Sequence, residues 1–167
     1  MQPEVIVEIE LVPVTLPEGT NVVIGQTHFI KTVEDLYEIV VAGVPQARFA
    51  VAFNEASGPR LVRVEGNADD LRDAATRTAL AIGAGHVFVL FLRDAYPINL
   101  LNAIKQCPEV AQVFCATANP VELLVARTDQ GGGVLGVVDG SAPRGVEDEG
   151  AKTQRREFLR RIGYKRG

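Results

Sequence analysis

Apolar and acidic residues alternate from Val5 to Leu11 (VIVEIEL), the period-two pattern of a strand with one face against a core. A short second strand follows at Asn21–Gly25. The period then changes. Val33, Leu36, Tyr37, Val40 and Val41 recur at helical spacing, with Glu34, Asp35 and Glu38 opposite, and Gly43 and Pro45 close that helix. Arg48–Phe53 and Leu61–Glu65 flank NEASGPR and predict a strand–loop–strand. A second helix is predicted from Ala68 to Ile82, buried through Leu71, Ala74, Ala75, Thr78 and Ile82, with Asn67 as its N-cap and Gly83-Ala84-Gly85 as its stop. HVFVLFL, opening at His86, is apolar at nearly every position and reads as a central strand covered on both faces. Pro97 begins a short third helix ending at Cys107-Pro108. Three strands follow at Val110–Ala116, Val121–Thr128 and Val134–Val138, separated by ANP and the hairpin-like DQGGG. A last helix carries Phe158, Leu159 and Ile162. The pattern is α/β: one compact domain over residues 1–167, with a mixed sheet and about four helices, because several strands adjoin with no helix between them.

Composition narrows the class. Hydrophobic residues make up 47% of the 167 and charged residues 23%, an ordinary globular balance. The net charge of −4 gives no global attraction for nucleic acid or an anionic membrane. No apolar run is long enough for a membrane helix, and no signal peptide is evident at the start, so a cytoplasmic protein is expected. Cys107 and Cys115, eight positions apart beside only two histidines, match no close-spaced zinc motif. From Lys152 onward seven basic residues face one acid, a net of +6, which leaves −10 on the rest of the chain. A basic helix of this kind (about 152–163) binds RNA or pairs with an acidic neighbour in an oligomer; the acidic body favours the second.

Four stretches carry candidate chemistry. In IGQTHFIKTVEDL, Thr32 occupies an N-cap position with Asp35 three residues on. The helix terminus, Lys31 and His28 together suggest an anion site beside a group able to take a proton or a phosphoryl group. A capped helix with a bystander histidine explains the stretch as well. EASGPRLVR offers a small-residue turn and the fork of Arg60, or only an ordinary hairpin turn. His86 either satisfies helix carbonyls or reacts. CATANPVE sets Thr117 and Asn119 at a strand end, where an Asn-Pro turn is an equal explanation. QGGGVLGVVDG lacks the Gly-Lys-Ser/Thr ending of a P-loop and precedes a strand, so it is not one.

Taken in order, GQTHFIKTVEDLYE, FNEASGPRLVRVEGN, ALAIGAGH, FLRDAYPINLLNAIK, PEVAQVFCATANPVE, GVLGVVDG and REFLRRIGYK closely resemble the adenosine-specific kinase family over nearly the whole chain. The resemblance implies a compact α/β domain, a homotrimer, adenosine or adenine-nucleotide ligands and an association with histidine phosphorylation. His28, Lys31, Thr32, Glu55, Ser57, Arg60, His86, Asn119 and Asp139 match its signature blocks. The expected activity is ATP-dependent phosphoryl transfer with Mg²⁺. In that reading Lys31, Arg60 and Thr32 hold phosphate oxygens, and Ser57 and Asn119 contact the ligand. His28, favoured over His86, is acceptor or base, and Glu55 or Asp139 holds the metal. A non-catalytic adenine-nucleotide sensor or carrier is the alternative, because neither a P-loop nor the protein-kinase motif set is present.

Overall fold

The structure is a computed structural model that describes residues 6–167. Its strands form two antiparallel sheets. The larger has five strands in the order β4 (Val62–Gly66), β3 (Arg48–Asn54), β5 (Val87–Arg93), β2 (Thr20–Thr27) and β6 (Val110–Thr117). The smaller has the order β1 (Glu8–Val14), β7 (Val121–Arg127), β8 (Gly132–Asp139). The helices are α1 (Thr32–Gly43), α2 (Asp69–Ile82), α3 (Leu101–Gln106), which follows a 3-10 turn at Pro97–Asn99, and α4 (Glu149–Arg161). The α/β character and the four helices agree with the sequence pattern. The strands expected in one mixed sheet divide in two because the chain leaves the large sheet after β6 and enters the small one at β7, turning through Ala118-Asn119-Pro120.

β5 organises the layers. Alternate side chains of a strand point to opposite faces, and Val87, Val89 and Phe91 face one core while Phe88, Leu90 and Leu92 face another. The first core holds Leu71, Ala75 and Ile82 of α2 together with Val12, Val14, Val121, Leu123 and Val125 of the small sheet. The second holds Val33, Leu36 and Val40 of α1 with Leu100 and Ile104 around α3. β3 is graded to match, with Ala50 and Ala52 towards α2 and Phe49, Val51 and Phe53 towards α1.

Three local expectations are corrected. The apolar face of the first strand points outward: Ile9 and Leu11 are 65% and 53% exposed, while Val12 and Val14 point in and Glu10 pairs with Arg127 at 2.6 Å. Val5, where that strand was expected to begin, lies outside the described residues. Thr32 does not cap α1; the N-cap is Lys31, without a side-chain bond, and the Thr32 hydroxyl donates inward to the Phe29 carbonyl at 2.5 Å. Asn67 does not cap α2 either, because its side chain accepts from Phe49 N and donates to the Ala47 carbonyl. Gly83 does end α2, at φ 55°.

Asn54 ties these layers together at the end of β3. It is buried, and its side-chain amide donates to the carbonyls of Ala79 (2.8 Å) and Ala84 (3.0 Å), while its own carbonyl accepts from His86 N at 2.7 Å. Removing the amide leaves enclosed carbonyls under-satisfied, at about 1–3 kcal/mol. Asn54→Ala is expected to lose that much in urea unfolding with an unchanged m-value; a loss under about 0.5 kcal/mol would contradict this role.

Candidate functional site

Glu55, where the chain leaves β3, lines one cleft, and its partner Arg63 lines a second. The larger, about 900 Å³, lies between the Ala56–Arg60 loop, the C-terminal end of α2 and the β7–β8 turn. Gly83, Gly85 and Gly131 to Gly133 wall it. Close packing requires glycine at two of these positions. A Cβ on Gly132 would meet Arg127 and the Gly83 carbonyl at 2.6 and 2.7 Å, and one on Gly85 would meet Ala56 at 2.9 Å. Arg127 holds that wall by donating to the Ile82 and Gly83 carbonyls, the loose end of α2. The smaller cleft, about 500 Å³, lies on the α1 side and is lined by Lys31, Glu34, Arg63 and Glu65.

Glu55 is held from several sides. Its Oε1 accepts from Ala56 N at 3.0 Å and from the Ser57 hydroxyl at 3.3 Å, and lies 3.7 Å from His86 Nε2; Oε2 accepts from Arg63 Nε at 3.4 Å. Burial pushes the carboxyl up, but the bonds from Ala56, Ser57 and Arg63 outweigh it and hold it below the usual carboxylate range. His86 stacks on Phe53 at 5.6 Å. Arg60 is exposed at the rim of the larger cleft and forms no ion pair among the described residues.

Backbone conformation singles out two of these residues. Among the described residues only Arg60 (φ 52°), His86 (φ 60°) and Asp94 (φ 62°) are non-glycine residues in the left-handed region. Each such residue costs about 1–2 kcal/mol that glycine would avoid, and strain of this kind concentrates at functional sites.

The candidates from sequence therefore separate into three groups. Glu55, Ser57 and His86 come together, and Arg60 shares the larger cleft with Glu55, whereas His86 lies outside that cleft's lining. Lys31 lines the adjoining cleft, paired with Asp35 at 3.0 Å, and Thr32 is fully buried with its hydroxyl also 2.9 Å from that of Thr27. His28 is exposed beside Phe29, its backbone N–H donating to the Glu109 carbonyl. The anion cradle expected around His28 is thus weakened, since its cation and its hydroxyl already have partners. Asn119 and Asp139 bond each other at 3.1 Å where β7 begins and β8 ends, at the far end of the small sheet. At about 3.3 Å per residue, Asp139 stands roughly 20 Å along β8 from the glycines of the cleft. Glu55 and Asp139, the alternative metal ligands expected from sequence, thus stand apart, Glu55 with donors on both oxygens and Asp139 bonded to Asn119. Neither cysteine is a ready nucleophile: burial first, then Glu109, pushes Cys107 up to about 12, and burial, then Asp139, pushes Cys115 up to about 11.

Sequence reasoning passed over Arg63 and Asn54. Arg63 ends the stretch in which Arg60 was noted, and the β3–β4 hairpin register, Phe53 opposite Arg63, folds it back towards Glu55. That signal was available. Asn54 had none, since its partners lie 25 and 30 residues away.

A family model described as Adenosine specific kinase matches residues 12–165. Among solved structures, the crystal structure of the PH1918 protein from Pyrococcus horikoshii OT3 is similar at 45% identity, covering 97% of this chain and 100% of that one, with a TM-score of 0.92. A search of curated proteins returns no match. No helix of the described residues is long and apolar enough to cross a membrane.

A carboxyl held below its ordinary value in the fold stabilises above about pH 4.3 and loses that contribution as pH falls through the lower native value. Glu55→Gln is therefore expected to flatten the acid limb of thermal stability below about pH 4.3. An acid limb of unchanged steepness would show that Glu55 gains nothing from its partners.

Proposed function

The chain belongs to the adenosine-specific kinase family, and on that premise we propose that it binds adenosine in the glycine-walled cleft and passes it the γ-phosphoryl group of ATP. The observation that carries the reading is the pairing of His86 with Glu55, a carboxylate that lines the glycine-walled cleft together with Arg60; His86 and Arg60 both sit on strained backbone. A cleft of about 900 Å³ is of the size that takes a nucleoside, and backbone exposed at glycines lets a ligand approach closely.

In this mechanism His86 takes the proton of the attacking hydroxyl, and the Glu55 carboxylate, ionised at neutral pH, stabilises the resulting imidazolium. The hydroxyl oxygen bonds to the γ-phosphorus, the bond to the β–γ bridging oxygen breaks, and ADP leaves. Arg60 neutralises phosphate oxygens, with Lys31 and Arg63 in the adjoining cleft. Mg²⁺ enters as the counter-ion of ATP, and no carboxylate pair on this chain is assigned to it. A phosphohistidine route uses the same atoms, with His86 Nε2 accepting the phosphoryl group first. His86 is preferred to His28 because it has the carboxylate partner.

One observation favours a non-catalytic nucleotide sensor as the second reading: Lys31 and Arg63 are already paired with Asp35 and Glu55. Single-turnover assay with ATP and adenosine, beside calorimetry of each ligand, separates the two. His86→Gln is expected to slow transfer about 10²-fold while adenosine affinity stays within tenfold. Tight binding with no transfer by the wild-type chain would assign the sensor. Arg60→Gly is expected to change folding stability by less than about 1 kcal/mol, since relief of the strained φ offsets added freedom in the unfolded chain. The same change should weaken ATP about tenfold, and undiminished ATP affinity would remove Arg60 from the phosphate site.

The homotrimer belongs to the same proposal. Ile9 and Leu11 expose an apolar face on an edge strand. α4 buries no residue within the chain, while its segment carries +6 against the −10 of the rest. Light scattering at micromolar concentration and moderate salt is expected to give three chains; a monomer would refute it.

A further inference from the structure

Behind the smaller cleft, Asp35 in the first turn of α1, Cys107 at the end of α3 and Glu109 at the entry to β6 bring one ligand atom each within 4.8 Å of one another. Glu109 is 1% exposed, and among the described residues neither of its carboxylate oxygens has a partner at hydrogen-bond geometry; the only groups close enough to give a proton are the Cys107 thiol and, if protonated, the Asp35 carboxyl. What faces them is a second carboxyl, a thiol and, beyond Asp35, the Lys31 ammonium 3.0 Å from Asp35 Oδ2. Enclosed carboxylates are otherwise paired or coordinate metals. The backbone on either side is fixed, since the Glu109 carbonyl accepts from His28 N and the Cys107 carbonyl from Val110 N. The side chain therefore has no easy route to water.

We propose that Asp35, Cys107 and Glu109 bind one divalent transition-metal ion of the Zn²⁺ or Co²⁺ type. Two carboxylate oxygens and one sulfur form a mixed set that such borderline ions accept. Mg²⁺ and Ca²⁺ take oxygen alone. With a metal–sulfur bond of about 2.3 Å and metal–oxygen bonds of about 2.0–2.2 Å, tetrahedral coordination puts ligand atoms roughly 3.5–3.7 Å apart, so a pair at the 4.8 Å limit has to close by about 1 Å, within reach of side-chain rotation. Coordination deprotonates the thiol outright and gives the Glu109 oxygens the partner that the polypeptide does not. Three protein ligands leave the fourth position to water, on the partly exposed side of Asp35. The site does not depend on the nucleotide reading, and its test needs no nucleotide.

The full chain, stripped with chelator and titrated with Co²⁺, is expected to develop a thiolate-to-cobalt charge-transfer band that saturates at one equivalent. Cys107→Ser should abolish the band, and Cys115→Ser, at the other buried thiol, should leave it. Asp35→Asn, at a partly exposed position, and Glu109→Gln should each weaken Co²⁺ at least tenfold. The metal-free Glu109→Gln chain should melt no lower than wild type, because it loses an unpartnered charge. No band, a band lost with Cys115→Ser instead, or wild-type affinity in Glu109→Gln would overturn the proposal. In that event the two carboxyls share a proton and no metal.

Discussion

A strand with six consecutive apolar positions has to be covered on both faces, and β5, from Val87 to Leu92, imposes that demand on the whole molecule. Its residues from Val87 to Leu92 are no more than 2% exposed. Each such side chain contributes about 1.5–3 kcal/mol relative to exposure, so neither face can be left to water. One face takes α1 and α3 and the other takes α2 and the small sheet, which makes the second sheet a lid on the first. That arrangement also explains the connection after β6. An eight-residue strand leaving the large sheet at Thr117 has to cross over to supply the missing cover.

The candidate site is a consequence of where β5 begins. His86 lies one residue before the ladder, and its backbone is used from both sides: its N–H donates to the Asn54 carbonyl and its carbonyl accepts from Thr27 N. Entering the sheet in that position from the end of α2 requires the left-handed turn at Gly83 and again at His86. Glycine would satisfy the backbone at both points. A histidine at the second carries a ring that stacks on Phe53 and approaches Glu55, so the strained position is spent on a side chain with chemistry.

Strong periodicity made the core readable. The helical spacing of Leu71, Ala74, Ala75, Thr78 and Ile82 identified the buried face of α2, and HVFVLFL identified the central strand. Alternation misled at β1, because a period of two does not say which face turns inward. Val12 and Val14 decide it, and Glu10 is tolerated on their side by pairing with Arg127. Caps were misread for a related reason. Thr32 and Asn67 have the right chemistry for N-caps, but each found a partner in another element, and tertiary contacts outrank local ones. The site was half legible. The EASGPR loop and His86 stand out as sequence, whereas nothing local links them to each other, and nothing near Cys107-Pro108 announces that Glu109 is enclosed.

The electrostatics of the two clefts follow one pattern. Lys31 is matched by Asp35 and Arg63 by Glu55, so at rest the α1 side holds few uncompensated cations. A phosphate entering there competes with carboxylates that are already in place, and a partly enclosed pair gives up its partner reluctantly. Arg60 is different, exposed at the rim with no carboxylate partner among the described residues. In the proposed mechanism its fork, unpaired among the described residues, would make the first contact with an incoming polyphosphate at little cost. Lys31 and Arg63 then serve only a ligand bound well enough to displace Asp35 or Glu55. Moving Arg63 off Glu55 would leave that carboxylate to His86, strengthening the contact that the proposed mechanism uses to hold a proton. The small cleft and the edge of the large one are thus linked through a single carboxylate, which in the proposed mechanism would couple phosphate binding to proton transfer.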